Sequence, residues 1–371
     1  MKFSVTSGDL QKCLGSVGGV IPSKSTLPIL ENFLFELQGT ELRVTATDLE
    51  ISMSMTTQIT GGKAGKMAVP AKKLMETIRA LPLTPIDFTG DPESNRIEMR
   101  TETGVYKLTG ESSENYPAIS EFQGKDEFTI DAESLRRLIS KAIFAVSSDE
   151  LRPAMLGVLF QMKKGEIRAV ATDGHRLVRF INKKFTAKNI ERDVIIPAKA
   201  LNLVMKSLEG GEVKVAFSET HAKFTLGNTT LISRIIEEKY PNYESVLPAD
   251  NDKTLTIGKE ALLSSVRRTA LYASSTTRQV RLSLKKTEAS VSAEDIDFGS
   301  EAREKIPAEY TGDALDIGFN SNYVVDVLSH IDTERVTFSL SSPSRAAIVH
   351  PEQQREGEDV LMLVMPVRLN N

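Results

Sequence analysis

The chain has 371 residues, which is more than one ordinary hydrophobic core accommodates, so we expect two or three domains. Hydrophobic residues make up 40%, charged residues make up 26%, and the formal net charge is −4, which excludes a generally basic nucleic-acid binder. No apolar run is long enough to span a membrane, the first residues show no secretory signal, and Cys13 has no second cysteine to pair with. We therefore expect a cytoplasmic protein.

Hydrophobic periodicity predicts helices and strands in a repeating order. The segment from Ser134 to Ala145 places Leu135, Leu138 and Ile139 on one helical face. Alternating strands around glycine-containing turns predict hairpins over 34–48 and 159–173. In chain order, the predicted helices cover 9–20, 71–80, 134–145, 198–208, 259–273 and 319–331. Two helices and many strands in each third of the chain predict an α+β fold with antiparallel sheets.

Three sequence markers recur with one period, and the first of them, at Asp9, Ser134 and Ala261, opens each unit at spacings of 125 and 127 residues. Asp48, Asp173 and Asp295 follow similar strands at spacings of 125 and 122 residues. The helix starts at Pro70, Pro197 and Asn320 are 127 and 123 residues apart. This period is too long for a solenoid repeat, so each copy should be a domain. We predict domains over 1–121, 128–247 and 253–371, separated by linkers that follow Tyr116-Pro117 and Tyr240-Pro241.

Charge is sorted between the predicted helices and the rest of the chain. The six predicted helices hold 12 basic and four acidic residues, a sum of +8, which leaves −12 for the strands and loops. Lysine and arginine are also ordinary helix-surface residues, so the count alone leaves a solvated surface as an alternative. If the helices share one face, that face would attract a phosphate backbone without reading bases. The last helix has no lysine or arginine and departs from the pattern.

The segment ATDGHRLV at 171–178 has the composition of an active site. A hydrolase that uses Asp173 and His175 is one alternative, but the matching segments ATDLEISM at 46–53 and AEDIDF at 293–298 lack the histidine. The four histidines show no metal-ligand spacing. We predict instead that Asp48 and Asp173 accept backbone hydrogen bonds at strand ends. The glycine- and lysine-rich segment 61–66 lacks the register of a phosphate-binding loop and is predicted to be a hairpin turn.

The repeats, the two ATD motifs, the Pro-Ala-Lys helix starts and the ending VMPVRL at 364–369 together resemble the bacterial sliding clamp family, the β subunits of DNA polymerase III. The resemblance extends from Met1 to Leu369. It implies a head-to-tail homodimer that closes a six-domain ring, with helices around the hole and strands outside. It also implies a non-catalytic protein with no cofactor and no metal, which encircles duplex DNA without sequence preference and tethers the replicative polymerase.

The resemblance implies three sets of site residues. A groove between the second and third domains would bind short linear peptides from the polymerase III catalytic subunit, the clamp loader, other polymerases and repair proteins. Its residues would be Met155, Thr172, Gly174, His175, Arg176, Leu177, Pro241, Val246, Asn320, Tyr323, Val364, Met365, Pro366, Val367, Arg368 and Leu369. The DNA-binding candidates are Lys24, Lys72, Lys73, Arg79, Arg136, Arg137, Lys141, Arg152, Lys199, Lys206 and Arg267. The dimer-interface candidates are Tyr106, Leu108, Leu271 and Tyr272, for which a place in the intradomain core is the alternative.

Leu177, Pro241, Val246, Met365 and Pro366 would form apolar walls for leucine and phenylalanine anchors of the peptide. His175, Asn320 and Arg368 would orient its backbone and its glutamine. Ser245 and Thr277 stand where the family can have bulkier side chains, and Asn370 and Asn371 extend beyond the usual final leucine, so peptide preference is open. The remaining alternative is a repeat scaffold that binds protein peptides but no nucleic acid.

Overall fold

A computed structural model describes residues 1–119, 122–124, 126–187 and 190–369, so Asn370 and Asn371 lie outside the described residues. The described part contains six α-helices, one at each position that the sequence predicts. They are α1 Ser7–Val17, α2 Ala71–Ala80, α3 Ala132–Ala142, α4 Ala198–Ser207, α5 Lys259–Thr269 and α6 Ser321–Ser329. Short 3-10 turns at Gly18–Val20, Ile143–Ala145 and Ala270–Tyr272 complete the predicted C-terminal ends of α1, α3 and α5.

Local sequence explains where these helices start. The Thr6 hydroxyl accepts a hydrogen bond from the Asp9 amide at 3.1 Å and thereby caps α1. Pro70 precedes α2, where its fixed φ suits the entry into a helix. The side-chain oxygen of Asn320 accepts from the Asn322 amide at 3.0 Å and caps α6. The caps at Thr6 and Asn320 satisfy amide groups that the first helical turn leaves without an intrahelical partner.

The strands form three antiparallel sheets, as the α+β prediction requires. The strands of the first repeat are β1 Lys2–Thr6, β2 Asn32–Gln38, β3 Glu41–Thr47, β4 Ile51–Gln58, β5 Thr60–Lys63, β6 Gly65–Pro70, β7 Pro85–Asp91, β8 Arg96–Arg100 and β9 Val105–Thr109. Those of the second are β10 Asp126–Asp131, β11 Gly157–Lys163, β12 Glu166–Thr172, β13 Arg176–Asn182, β14 Arg192–Pro197, β15 Glu212–Phe217, β16 His221–Leu226 and β17 Thr229–Arg234. Those of the third are β18 Lys253–Gly258, β19 Gln279–Lys285, β20 Glu288–Asp295, β21 Ser300–Thr311, β22 Leu315–Asn320, β23 Arg335–Leu340, β24 Ala347–Pro351 and β25 Glu358–Val364.

Both predicted hairpins are confirmed, as β2–β3 and β11–β12. The predicted hairpin turn at 61–66 is wrong. Thr60–Lys63 is the strand β5, which pairs with β1, whereas Gly65–Pro70 is β6, which pairs with β2 in a different sheet. The segment therefore carries the chain from one sheet to another, and glycine allows the sharp change of direction that this requires.

The chain divides into two compact units. One unit contains residues 1–136 and 199–235, and the other contains 137–198 and 236–371, so each unit holds part of the middle repeat. Phe33, Phe35 and Phe88 are fully buried in the first unit, and Phe180 and Phe319 are fully buried in the second. No helix in the described part of the chain is both long enough and apolar enough to cross a membrane.

Inside each unit, one sheet continues from one repeat into the next. In the first unit, β4 of the first repeat pairs with β17 of the second, with Met53 opposite Leu231. In the second unit, β13 of the second repeat pairs with β25 of the third, with Leu177 opposite Leu363. In both cases the joining strand comes directly after the aspartate turn that the repeats share.

Candidate partner-binding groove and basic surface

The ATDGHRL segment forms a tight turn between β12 and β13. The carboxylate of Asp173 accepts hydrogen bonds from the amides of His175 and Arg176, both at 2.9 Å. The Thr172 hydroxyl accepts from the Gly174 amide at 3.1 Å and donates to the Arg176 carbonyl at 2.7 Å. Gly174 has a φ of 89°, which glycine adopts without strain.

The predicted structural role of the repeated aspartates is confirmed. Asp48 accepts from the amides of Glu50 and Ile51 at 3.0 and 2.7 Å, and Asp295 accepts from two amides in the third repeat. Because backbone amides and Arg176 engage the Asp173 carboxylate, it is poorly placed to act as a base. The His175 ring stacks on Tyr323 instead, with ring centroids 5.8 Å apart. The hydrolase alternative therefore loses its proposed Asp–His pair.

The C-terminal segment runs alongside this turn. The Met365 amide donates to the His175 carbonyl at 2.8 Å, directly after the β13–β25 ladder ends. The Val367 amide then donates to the Gly318 carbonyl at 2.9 Å. A side chain at position 318 would collide with Leu369, whose Cδ2 lies 2.7 Å from the position of a Cβ. The chain end is thus fastened between the turn and β22, where it brings Pro366 and Arg368 to the same region.

Apolar groups of this region divide into a buried floor and an exposed rim. Leu177 is only 2% exposed and packs in a core cluster with Tyr243 and Leu363. Val246 and Met365 are 54% and 40% exposed, so they offer apolar surface to a partner. Leu177, predicted as an open wall, instead supports that surface from below. Pro241 is exposed next to Tyr240, and burial raises the pKa of the Tyr240 hydroxyl.

The remaining predicted groove residues lie on α6 and on the segment before β11. Asn320 caps α6 through its side-chain oxygen, and Tyr323 stands on the first turn of α6. Met155 is half-buried in the 3-10 turn Pro153–Leu156. Arg152, predicted to bind DNA, comes so close to Gly174 that a Cβ there would lie 2.8 Å from the arginine nitrogen. The structure thus places Arg152 beside the turn of the ATDGHRL segment, and Arg152 also pairs with Asp149 at 2.8 Å.

The other predicted DNA-binding residues fall into three groups. One group is exposed and has no carboxylate partner within the part of the chain that the structure describes: Lys24, Lys72, Lys73, Arg79, Lys206 and Arg267. In a second group, Lys199 pairs with Asp48, and Arg136 donates to the Leu208 carbonyl at the end of α4. The third group, Arg137 and Lys141, is engaged by the carboxylates of Glu358 and Asp332, and burial lowers the pKa of Lys141. These two cations are therefore less available to DNA than the first group.

The dimer-interface candidates lie outside the hydrophobic core. Tyr106 and Leu108 are half-buried on β9, which is the last strand of the five-stranded sheet. Leu271 is 81% exposed, and Tyr272 next to it is 45% exposed. Both follow α5 in the third repeat. Their surroundings are compatible with an interface and do not support the alternative of an intradomain core.

Comparison with known proteins finds relatives that match the chain over its whole length. Models of the N-terminal, central and C-terminal domains of the DNA polymerase III beta subunit match residues 1–120, 129–242 and 244–368. The beta sliding clamps of Pseudomonas aeruginosa and Escherichia coli are 32% and 29% identical to the chain, and each alignment covers 100% of both proteins. The chain belongs to the DNA polymerase III beta subunit family.

Solved sliding clamps have the same fold. The beta subunit from Pseudomonas aeruginosa superposes with a TM-score of 0.94 at 32% identity, and that comparison covers 100% of both chains. A sliding clamp from Bartonella birtlesii, solved bound to griselimycin, gives 0.94 at 28% identity, again with 100% of both chains covered. The chain therefore contains three clamp domains, and its function is that of a DNA polymerase sliding clamp, as the sequence predicts.

Two features of this sliding clamp do not follow from its sequence patterns. The first is Asp326 on α6, which forms an ion pair with Arg176 across 150 positions of sequence. The sequence offers one sign of this pair: Asp326 is an acid at the position where the matching helix of the preceding repeat has Leu203. The second is the exposed pair Ile296 and Phe298 on the turn of the third repeat. The sequence sign in this case is that large apolar residues occur in a tight turn that is otherwise polar.

Proposed function

We propose that two copies of this chain join head to tail into a ring of six clamp domains around duplex DNA. Polymerases, the clamp loader and repair proteins then attach to the groove through short peptide segments, and the ring keeps them on the template. In this proposal the chain itself is non-catalytic and has no cofactor or metal. We place it in the cytoplasm, where bacteria replicate their DNA.

The observation that carries the proposal is the way successive repeats join. The strand after the aspartate turn, β4 or β13, pairs with the last strand of the next repeat, β17 or β25. In the third repeat that strand is β21, and its residues 300–307 pair only with β20 within the described part of the chain. The last strand of the first repeat, β9, pairs only with β8 in that same part. A second copy would let β21 pair with β9 by the same rule.

Exposed side chains of the third repeat, which carries the β21 edge, support the same arrangement. Phe298 occupies the repeat position of Ile51 and Arg176, both of which are largely covered, yet Phe298 is 85% exposed. Leu271 and Tyr272 are exposed in the same repeat. Natural proteins avoid leaving a strand edge and large apolar groups open together, because such edges pair with other chains. A symmetric partner would cover them.

Charge supports DNA as the molecule inside the ring. The six α-helices hold 12 basic and five acidic residues, a net +7, because α3 begins early enough to include Glu133. The whole chain is −4, so the rest of it carries −11. Helices that face inward would attract phosphates while the outer sheets would repel them. Attraction to phosphates alone reads no bases and therefore permits sliding.

The first experiment measures retention on DNA. Ring-shaped protein should remain on nicked circular duplex after gel filtration and should slide off after the circle is cut. The variant Lys72→Glu/Lys73→Glu/Arg79→Glu should load less and show a shallower dependence of affinity on salt, by about one unit of slope for each phosphate that the variant no longer neutralises. Equal retention on circular and linear DNA would contradict encirclement, and salt-insensitive binding would favour the DNA-free scaffold.

The second experiment measures the association of the subunits. Substituting Leu271 and Phe298 with alanine should shift the dimer toward monomer in sedimentation equilibrium, since central apolar anchors each contribute more than about 1 kcal/mol. Replacing the exposed Leu83 of the first repeat with alanine is the matched control, because this residue is 85% exposed and lies just before β7, which is separated from β9 by β8. A dimer that is equally stable in both variants would refute the proposed pairing of β21 with β9.

The third experiment tests the groove. A labelled peptide with a glutamine followed by leucine and phenylalanine anchors should bind the full chain, and truncation before Met365 should abolish binding. The truncated protein should remain dimeric, because its missing segment contacts Gly318 and His175 rather than either free edge. Undiminished peptide affinity after truncation would remove the groove assignment.

A further inference from the structure

Each of the three guanidinium nitrogens of Arg176 donates a hydrogen bond within the protein. Its Nε donates to Asp173 at 3.1 Å, one terminal nitrogen donates to the carboxylate of Asp326, and the other donates to the Phe144 carbonyl at 2.8 Å. The side chain is only 11% exposed. Because so little of the side chain is exposed, it offers little surface for a direct contact with a bound peptide, although the family resemblance places it in the groove.

Aromatic rings hold Arg176 and link it to the exposed part of the groove. Its guanidinium carbon lies 5.0 Å from the centre of the Tyr323 ring and 5.4 Å from that of Phe144. Tyr323 in turn stacks on His175 with an angle of 14° between the ring planes. A displacement of the guanidinium group would therefore move the ring against which His175 rests.

Asp326 is the anchor of this arrangement on the third repeat. It lies three residues after Tyr323 on α6, so the two side chains occupy one helix face. The ion pair thus ties the turn of the second repeat to the same face that carries the groove tyrosine. Its carboxylate is 43% exposed, so Arg176, not Asp326, is the more buried partner.

The first repeat joins the second through different side chains at the matching positions. Aligned by their helix starts and aspartate turns, Ile51 occupies the position of Arg176, and Leu203 occupies that of Asp326. Both apolar residues are buried. The first joint has its ion pair elsewhere, between Lys199 of α4 and the turn residue Asp48, so a charge pair at the Arg176 and Asp326 positions is not needed to join two repeats.

We propose that Asp326 is a positioning residue of the peptide groove, which acts through Arg176 to fix the orientation of Tyr323 and His175. Phe144 assists by accepting from Arg176 and stacking against it. The inference rests on the proposed peptide-binding function. It predicts that the ion pair contributes to peptide affinity without contacting the peptide and without being needed for the fold.

The test compares three variants for peptide affinity, by fluorescence anisotropy, and for melting temperature. Asp326→Asn and the double variant Arg176→Ile/Asp326→Leu, which copies the first repeat, should each bind the labelled Gln–Leu–Phe peptide about tenfold more weakly. The double variant should melt within about 4 °C of the wild-type temperature, because Asp173 keeps its two amide donors when Arg176 is replaced. Asp250→Asn is the matched control, because Asp250 forms an exposed ion pair with Arg345 in the same unit and should leave affinity unchanged.

A nuclear magnetic resonance measurement separates positioning from general stability. In Asp326→Asn, the His175 ring proton signals should shift before any peptide is added, because the ring current of Tyr323 would act from a different position. The inference would be overturned if Asp326→Asn and Arg176→Ile/Asp326→Leu both bound the peptide with wild-type affinity and showed unshifted His175 signals. If His175→Ala nevertheless bound the peptide more weakly, the groove assignment would stand. Absence of peptide binding by the wild-type chain would instead refute the proposed function, and the inference with it.

Discussion

The first and second repeats present the same aspartate turn but continue into the next repeat with different side chains. In both turns a threonine and an aspartate bind the same backbone groups, with distances that agree within 0.3 Å. The strand after the turn begins with Ile51, which is 2% exposed, in the first repeat and with Arg176 in the second. Architecture is thus held by the hydrogen bonds that the repeats share, and the residues that differ are free to serve binding.

The two turns also differ at their tips. The second repeat has Gly174 and His175, whereas the first has Leu49 and Glu50. Leu49 has a φ of 78°, a conformation that costs about 1–2 kcal/mol for a residue with a Cβ. Glu50 lies 3.8 Å from Arg234, so its carboxylate has a partner within its own unit. Of these two turns, only that of the second repeat has a glycine at the tip, which lets the backbone turn without strain and leaves the exposed His175 uncovered.

The largest effect should follow from placing a charge at the buried position of Ile51. Ile51→Arg would bury a guanidinium group where the native side chain is only 2% exposed and should lower the free energy of unfolding by about 3–5 kcal/mol. Adding Leu203→Asp should restore part of that loss if the two positions are as close as Arg176 and Asp326 are. Urea denaturation followed by circular dichroism measures both. A double variant no more stable than the single one would break the equivalence of the two joints.

A smaller effect should separate the two aspartates. Asp173→Ala removes the acceptor of two amides and a partner of the largely buried Arg176, and we expect a loss of about 2–3 kcal/mol. Asp48→Ala removes the same two amide bonds but only an exposed lysine partner, so about 1–2 kcal/mol is expected. The comparison uses the same denaturation measurement. An equal loss in the two variants would show that Arg176 draws no stability from Asp173.

The sequence predicted the repeated elements well because their causes are local. Pro70 and Asn320 mark helix starts through backbone geometry and side-chain capping, and the aspartate turns need only neighbours two and three residues away. The segment at 61–66 was misread because the partner of β5 is β1, nearly sixty residues earlier. Strand pairing over such a distance leaves no local pattern. The predicted domain limits differ from the two compact units for a related reason, since strands of neighbouring repeats share a sheet.

Within the groove, resemblance supplied the residues but not their separate roles. It grouped Leu177 with Val246, although one is core and the other is surface. It grouped Arg176 with His175, although the arginine is enclosed and the histidine is exposed. Exposure depends on how β13, β25 and α6 pack, which no run of adjacent residues encodes. Asp326 was missed for the same reason, because its partner lies on another repeat.

The smallest effects should come from exchanging the residues at the tips of the turns. Gly174→Ala forces a Cβ into a positive φ and toward Arg152, so we expect a loss of about 1–2 kcal/mol and weaker peptide binding. Leu49→Gly relieves the corresponding strain but gives the unfolded chain more freedom, and the two terms should cancel to within about 0.5–1 kcal/mol. Thermal unfolding of both variants measures the difference. If Leu49→Gly were clearly destabilising, its side chain would have to contribute packing that its 51% exposure does not suggest, and the first turn would be more than a strained copy of the second.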